Sequence, residues 1–152
     1  MKMYASWAHG SGLTVESPEN LSRIGHFGWG ADMSIKPGKG SWFHISVPTP
    51  VIVNDVRTHL QRVFLLFDAE GGSIRNVHVY DGSSKVQEFN GLFLKGEHRT
   101  GLDGQNTFNL ATQHTVIFGI GISFFFIADI GFDSAIPPSR LILGTTGGDF
   151  MV

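Results

Sequence analysis

Seven histidines, at positions 9, 26, 44, 59, 78, 98 and 114, have the widest chemical reach of any residues in this chain. Imidazole ligates zinc or iron, and it exchanges a proton near neutral pH. The spacing supports neither use directly. There is no His-x-His pair, no His-Glu-x-x-His signature and no short cluster of histidine with carboxylate. A metal site would have to gather His44, His78 and His114 from separate strands. The expectation is therefore no metal and no cofactor, with those three histidines as the residues whose convergence decides the point.

Other chemistries fare no better. The chain has no cysteine, which excludes a thiolate nucleophile, a zinc–thiolate centre and a disulfide framework. A Gly-x-Ser-x-Gly nucleophile elbow is absent. The short glycine runs GSG, GWG and GKG lack the spacing of a phosphate loop. Most of the 13 acidic residues stand beside Gly, Asn or Ser, where aspartate stabilises turns, so no carboxylate pair can be singled out. The sequence carries no positive sign of an enzyme.

The most suggestive constellation is HFGWGAD, His26 to Asp32. Glycines beside Trp29 let a flat ligand approach the indole, and His26 and Asp32 can bond hydroxyl groups. Trp42 and Tyr80 are candidates to join them. A stacking surface with planar polar partners suits a sugar. The competing explanation is that Trp29 plugs the end of the fold while Gly28 and Gly30 turn the chain. A second loop, Gly101 to Asn109 (GLDGQNTFN), offers oxygen ligands, though not in the order of a calcium-binding EF-hand.

The elements that must position these residues read as β-strands. Short runs of Phe, Val and Ile alternate with polar residues, and the chain's 20 glycines help punctuate them. Strands are expected near Tyr4–Ala8 and Leu13–Glu16, with a helical turn at Ser17–Pro18 and a glycine-rich loop through His26–Gly40 that holds a strand at Asp32–Lys36. In SWFHISVP, Phe43, Ile45 and Val47 share one face, and Trp42, His44 and Ser46 the other. HLQRVFLLFD is apolar on both faces and should be covered on both. Ser73–Tyr80 and Lys85–Phe89 flank DGSS and read as a hairpin. Further strands are expected at Thr107–Leu110 and Leu141–Gly144. About ten strands at this spacing suggest an all-β, single-domain antiparallel β-sandwich, jelly-roll-like, spanning residues 1–152. An up-and-down β-barrel is the alternative.

The stretch HTVIFGIGISFFFIAD, His114 to Asp129, has no charge between its ends. Thr115 to Ala128 supplies 14 residues, against about 20 for a membrane-spanning helix. Read with period 2, the even positions Val116 to Phe126 are all large and apolar. The odd positions Gly119, Gly121 and Ser123 form a trough of small residues. The expectation is a central strand bent at its glycines, with the trough covered by a neighbouring subunit or by the chain's own C-terminal segment.

Charge limits the partners. The net charge is −2, with no cluster of Lys and Arg, which argues against nucleic acid. The charged fraction of 16% is below the usual ~25%, consistent with a homo-oligomer that covers part of its surface. No apolar signal region opens the chain, so a cytoplasmic protein without membrane attachment is expected. Three functions are compatible with these residues. The first is a self-associating β-sandwich with a structural or assembly role. The second is a lectin-like module for carbohydrate or another small ligand. The third is a small enzyme using histidine or a metal.

Overall fold

The computed structural model describes residues 1–131 and 138–152. Among these residues there are thirteen strands and two short 3-10 turns, and every strand pairing is antiparallel. No helix among them is long and apolar enough to cross a membrane.

The organising element is β8 (His59–Asp81), a strand of 23 residues. Its first half pairs with β13 (Arg140–Met151) on one side, and with β10 (Leu94–His98) and β11 (Thr107–Thr115) on the other. Its second half pairs with β12 (Ile120–Ala128) and β9 (Ser84–Phe89). The change of partners falls at Gly71 and Gly72. Gly71 has φ +62°, a conformation that a residue with a Cβ rarely adopts. One strand thus runs through both layers of a curled sandwich. The first layer is β2 (Thr14–Val15), β5 (Gly40–Ser46), β12, β8 and β9. The second is β3 (Leu21–Phe27), β4 (Gly30–Ile35), β13, β8 and the β10 and β11 strands, with β1 (Met3–His9) lying along β13. A small separate hairpin joins β6 (Ile52–Val53) to β7 (Val56–Arg57). Apart from the β3–β4, β6–β7 and β8–β9 hairpins, neighbouring strands are far apart in sequence, which is the jelly-roll-like arrangement and excludes the up-and-down barrel.

The core follows from the period-2 pattern. Phe43 and Ile45 on β5 and Val47 just past its end are buried, as are Ile120, Ile122, Phe124 and Phe126 on β12. They belong to one cluster with Val63, Leu65 and Phe67 of β8 and Leu141 and Leu143 of β13. Each such side chain contributes about 1.5–3 kcal/mol by leaving water. Phe64 and Leu66, on the opposite face of β8, are also buried, and Trp7 stacks on Phe64 at 5.1 Å. The HLQRVFLLFD strand is covered on both faces, as its pattern predicts.

Three expectations need correction. Residues 21–35 form a β3–β4 hairpin, where a loop was expected before Asp32; residues 21–27 are largely exposed edge-strand positions that leave little apolar alternation to read. Ser17 makes no side-chain cap on the 3-10 turn Pro18–Asn20, although Pro18 does occupy its first position. The third concerns His114–Asp129, which is not one bent strand. β11 ends at Thr115 and β12 begins at Ile120, so the chain crosses from one layer to the other in between. The cause is Asp81, whose carboxylate accepts hydrogen bonds from the N–H groups of Ile117 (2.8 Å), Phe118 (2.9 Å) and Gly119 (3.0 Å). His114 donates to the same carboxylate at 2.7 Å. The even-position parity therefore breaks: Val116 is buried, but Phe118 is 75% exposed.

Candidate functional site

Strand alternation builds a site on the outer face of the first layer. On β12 the outward residues are Gly121, Ser123 and Phe125. Each lies directly opposite a residue on β5 and another on β8. Three rows result: Trp42–Phe125–Asn76, His44–Ser123–His78 and Ser46–Gly121–Tyr80. The middle strand carries small residues where its neighbours carry large ones, so the face is hollow. The hollow is a basin of about 640 Å³ with Trp42, His44, Ser123, His78, Tyr80 and Gly121 in its lining. Glu16 and Thr14 flank it beyond β5, and Lys85 beyond β8. Its size falls in the range of ~300–1,000 Å³ usual for small-ligand sites.

The trough at Gly121 and Ser123 is thus the floor of a recess. The expected cover by the C-terminal segment is absent: β13 lies in the other layer, and none of its residues lines the basin.

The polar groups in the basin are held in place. His44 donates from Nε2 to Glu16 Oε1 at 3.1 Å, so Nδ1 accepts from the Ser123 hydroxyl at 2.7 Å. His78 Nε2 donates to Asn90 Oδ1 at 2.9 Å, as does Asn76 Nδ2. Asn90 in turn donates to Glu88 Oε2 at 2.7 Å, and Glu88 also pairs with Lys85. The Lys85 ammonium holds the Glu88 carboxyl below its ordinary pKa, and Glu88 raises that of Lys85. The Trp42 ring meets the rings of His78 at 4.8 Å and Phe125 at 5.5 Å between centroids.

The Ser123–His44–Glu16 chain has the connectivity of a nucleophile, base and orienting acid. β12 is paired on both sides, so its N–H groups are taken up by the two ladders, and none is left to stabilise an oxyanion. Serine and histidine here are positioned donors and acceptors.

The other residues singled out in the sequence are placed elsewhere. Trp42 and Tyr80 come together in the basin; His26, Trp29 and Asp32 do not join them, because the β3–β4 hairpin belongs to the second layer. Trp29 stacks on Phe27 at 4.5 Å and lines a smaller pocket of about 260 Å³ with Glu70, Glu97, Arg99 and Arg140. Asp32 is buried beneath, clamped by Arg23 and Arg140 at 2.8 Å each, and its pKa is lowered chiefly by the Arg140 hydrogen bond. A carboxylate so paired has little left to offer a hydroxyl. The His26 ring bonds the Ser11 carbonyl at 2.7 Å.

The polar groups of the Gly101–Asn109 loop are consumed internally. Asp103 accepts from Gln105 and Asn106, and the buried Asn106 donates to His98 and Gly101 carbonyls. His44 and His78 share the basin, but His114 is bound to Asp81 away from it. Among the described residues, no group of three His, Asp or Glu side chains could hold a metal ion. Sequence reasoning had overlooked Glu16, Ser46 and Lys85 as partners in the basin; only Lys85, the residue immediately after a legible turn, had a local signal.

Several solved structures resemble this chain at low identity. A family 29 carbohydrate-binding module from Piromyces equi gives a TM-score of 0.46 at 10% identity, covering 98% of this chain and 91% of that one. TmCBM61, solved in complex with β-1,4-galactotriose, gives 0.39 at 15% identity, over 99% and 88%. CBM35 from Paenibacillus barcinonensis gives 0.35 at 14% identity, over 96% of both chains. At these identities and TM-scores the likeness carries no argument about function. No curated protein matches the sequence. A sequence-family model matches residues 1–142, and the chain accordingly belongs to the Family of unknown function (DUF6623).

Proposed function

We propose that the basin on the β5–β12–β8 face binds a carbohydrate. One observation carries the reading: a floor of small residues, Gly121 and Ser123, lies between aromatic rings and fixed hydrogen-bonding side chains. A sugar ring needs both. Its C–H face stacks on an indole or phenol ring, and its rim of hydroxyls requires donors and acceptors at set positions. Trp42 and Tyr80 supply the rings; His44, Ser123, His78 and Ser46 supply the rim. Their mutual hydrogen bonds preorganise the site, which lowers the ordering cost of binding. Lys85 is paired with Glu88 at the rim.

The test is a glycan array followed by isothermal titration with the wild-type chain and Trp42→Ala. Trp42 is only half-buried, so its removal leaves the core intact. The expected loss is at least about tenfold in Kd, or ~1.4 kcal/mol. An array without hits, or unchanged affinity in the variant, would count against the reading.

A specific observation also favours self-association. Ile52 and Val56 on the β6–β7 hairpin, and Ile117 and Phe118 beside it, are all exposed large apolar side chains. Arg57 ties that hairpin to the Val116 and Ile117 carbonyls at 3.1 and 3.2 Å. Apolar groups held together at a surface suit a contact between copies. Light scattering that finds a monomer at micromolar concentration removes this reading.

A further inference from the structure

The basin is shut at one end of β12 and open at the other. β5 and β8 are separated by β12, so their backbones lie about 10 Å apart, two inter-strand spacings. Trp42 and His78 start from those two strands, yet their ring centroids are 4.8 Å apart. The rings therefore meet above β12, between the positions of Phe125 and Ser123, with Phe125 behind Trp42 at 5.5 Å. Asn90 holds His78 in this position through a 2.9 Å bond, and Glu88 holds Asn90. Trp42 and His78 line the basin, whereas Phe125 and Asn76, on the far side of the bridge, do not.

Toward the other end, the next outward position on β12 is Gly121, and Gly119 lies just before the strand begins. A Cβ added at Gly121 would meet no atom within 4 Å, and one at Gly119 only Thr49 Oγ1 at 3.9 Å. Across the strands, Thr14 and Glu16 flank the basin on one side. On the other stand Tyr80 and Lys85, with the ammonium 6.0 Å from the phenol ring centroid.

From this geometry we infer that the basin recognises the terminal units of a glycan chain and rejects its interior; the inference rests on the carbohydrate reading of the site. The end unit enters over Gly121, stops against the Trp42–His78 bridge and sits above Ser123 and His44. The units behind it pass between Ser46 and Tyr80 and leave past Gly119. A chain cannot run on through the bridge, so an internal stretch has no way to lie along the floor.

The experiment is isothermal titration of the full chain with cello-, xylo-, manno- and galacto-oligosaccharides of graded length, and with their soluble parent polysaccharides. For the series that binds, Kd should level off once the oligosaccharide fills the basin of about 640 Å³, changing by less than about threefold with each further unit. The number of sites per gram of polysaccharide should fall in inverse proportion to chain length, one per recognised end. A site density per gram that stays constant with chain length would overturn terminal recognition and leave the carbohydrate reading standing. No binding in any series, together with an array without hits, would overturn both.

Discussion

Gly121 is the position at which function and stability should part company. It lies inside a strand that is paired on both sides, opposite Ser46 and Tyr80, where a glycine weakens the strand. Nothing in the fold requires it. Its φ lies outside the left-handed region, and an added Cβ would meet no atom within 4 Å. Gly121→Val should therefore stabilise the protein. Removing an interior strand glycine contributes about 0.5–1 kcal/mol. A β-branched residue facing Tyr80 adds a cross-strand pair worth a further few tenths of a kcal/mol. For a chain of this length the gain amounts to an increase of about 2–4 °C in Tm. The same valine stands on the floor of the basin, in the path from the open end to Ser123. Glycan binding should fall at least about tenfold, ~1.4 kcal/mol. Differential scanning calorimetry and isothermal titration on the same preparation read both effects. A lower Tm would show that the trough is needed for the fold. Binding at wild-type strength would show that ligand does not occupy the trough. Either result refutes the reasoning.

The Asp81 clamp predicts acid sensitivity. Burial alone would raise its pKa, but the His114 hydrogen bond and three backbone N–H groups outweigh it and hold the carboxyl at about 2, against an ordinary 3.8. A lowered folded-state pKa contributes stability that is fully present above about pH 4 and lost as the pH falls through about 2. The difference corresponds to about 2–3 kcal/mol, measurable by urea unfolding at stepped pH. Asp81→Ala should abolish that part of the pH dependence and cost about 2–3 kcal/mol at neutral pH, because the crossover N–H groups lose their acceptor. In the core, Phe124 is fully buried and stacked on Phe43 at 5.2 Å. Phe124→Ala should cost about 3–5 kcal/mol in the same urea assay.

Legibility along the chain followed the range of the interactions involved. The Ser73–Tyr80 and Lys85–Phe89 hairpin was readable because its turn, Asp81 to Ser84, sits in four consecutive residues. The two faces of β5 and β12 were readable because side chains alternate whatever the strand pairs with. The end of β11 was not readable. It depends on Asp81, which is more than thirty residues away in sequence from the N–H groups it binds. His26, Trp29 and Asp32 made a plausible local cluster, but it lies in the layer opposite Trp42 and Tyr80. Nothing within HFGWGAD records which layer its hairpin joins.

By itself, the sequence determined that the chain is all-β, that Ile120 to Phe126 turn their even side chains inward, and that Gly121 and Ser123 leave an outward trough. These are consequences of strand periodicity, which is local and needs no partner. Tertiary structure decided what the trough is. Only the pairing of β12 with β5 on one side and β8 on the other sets His44, Ser123 and His78 in one row and brings Trp42 against His78. Those pairings join segments tens of residues apart. They are selected by the burial of the whole core, which no short stretch of sequence encodes.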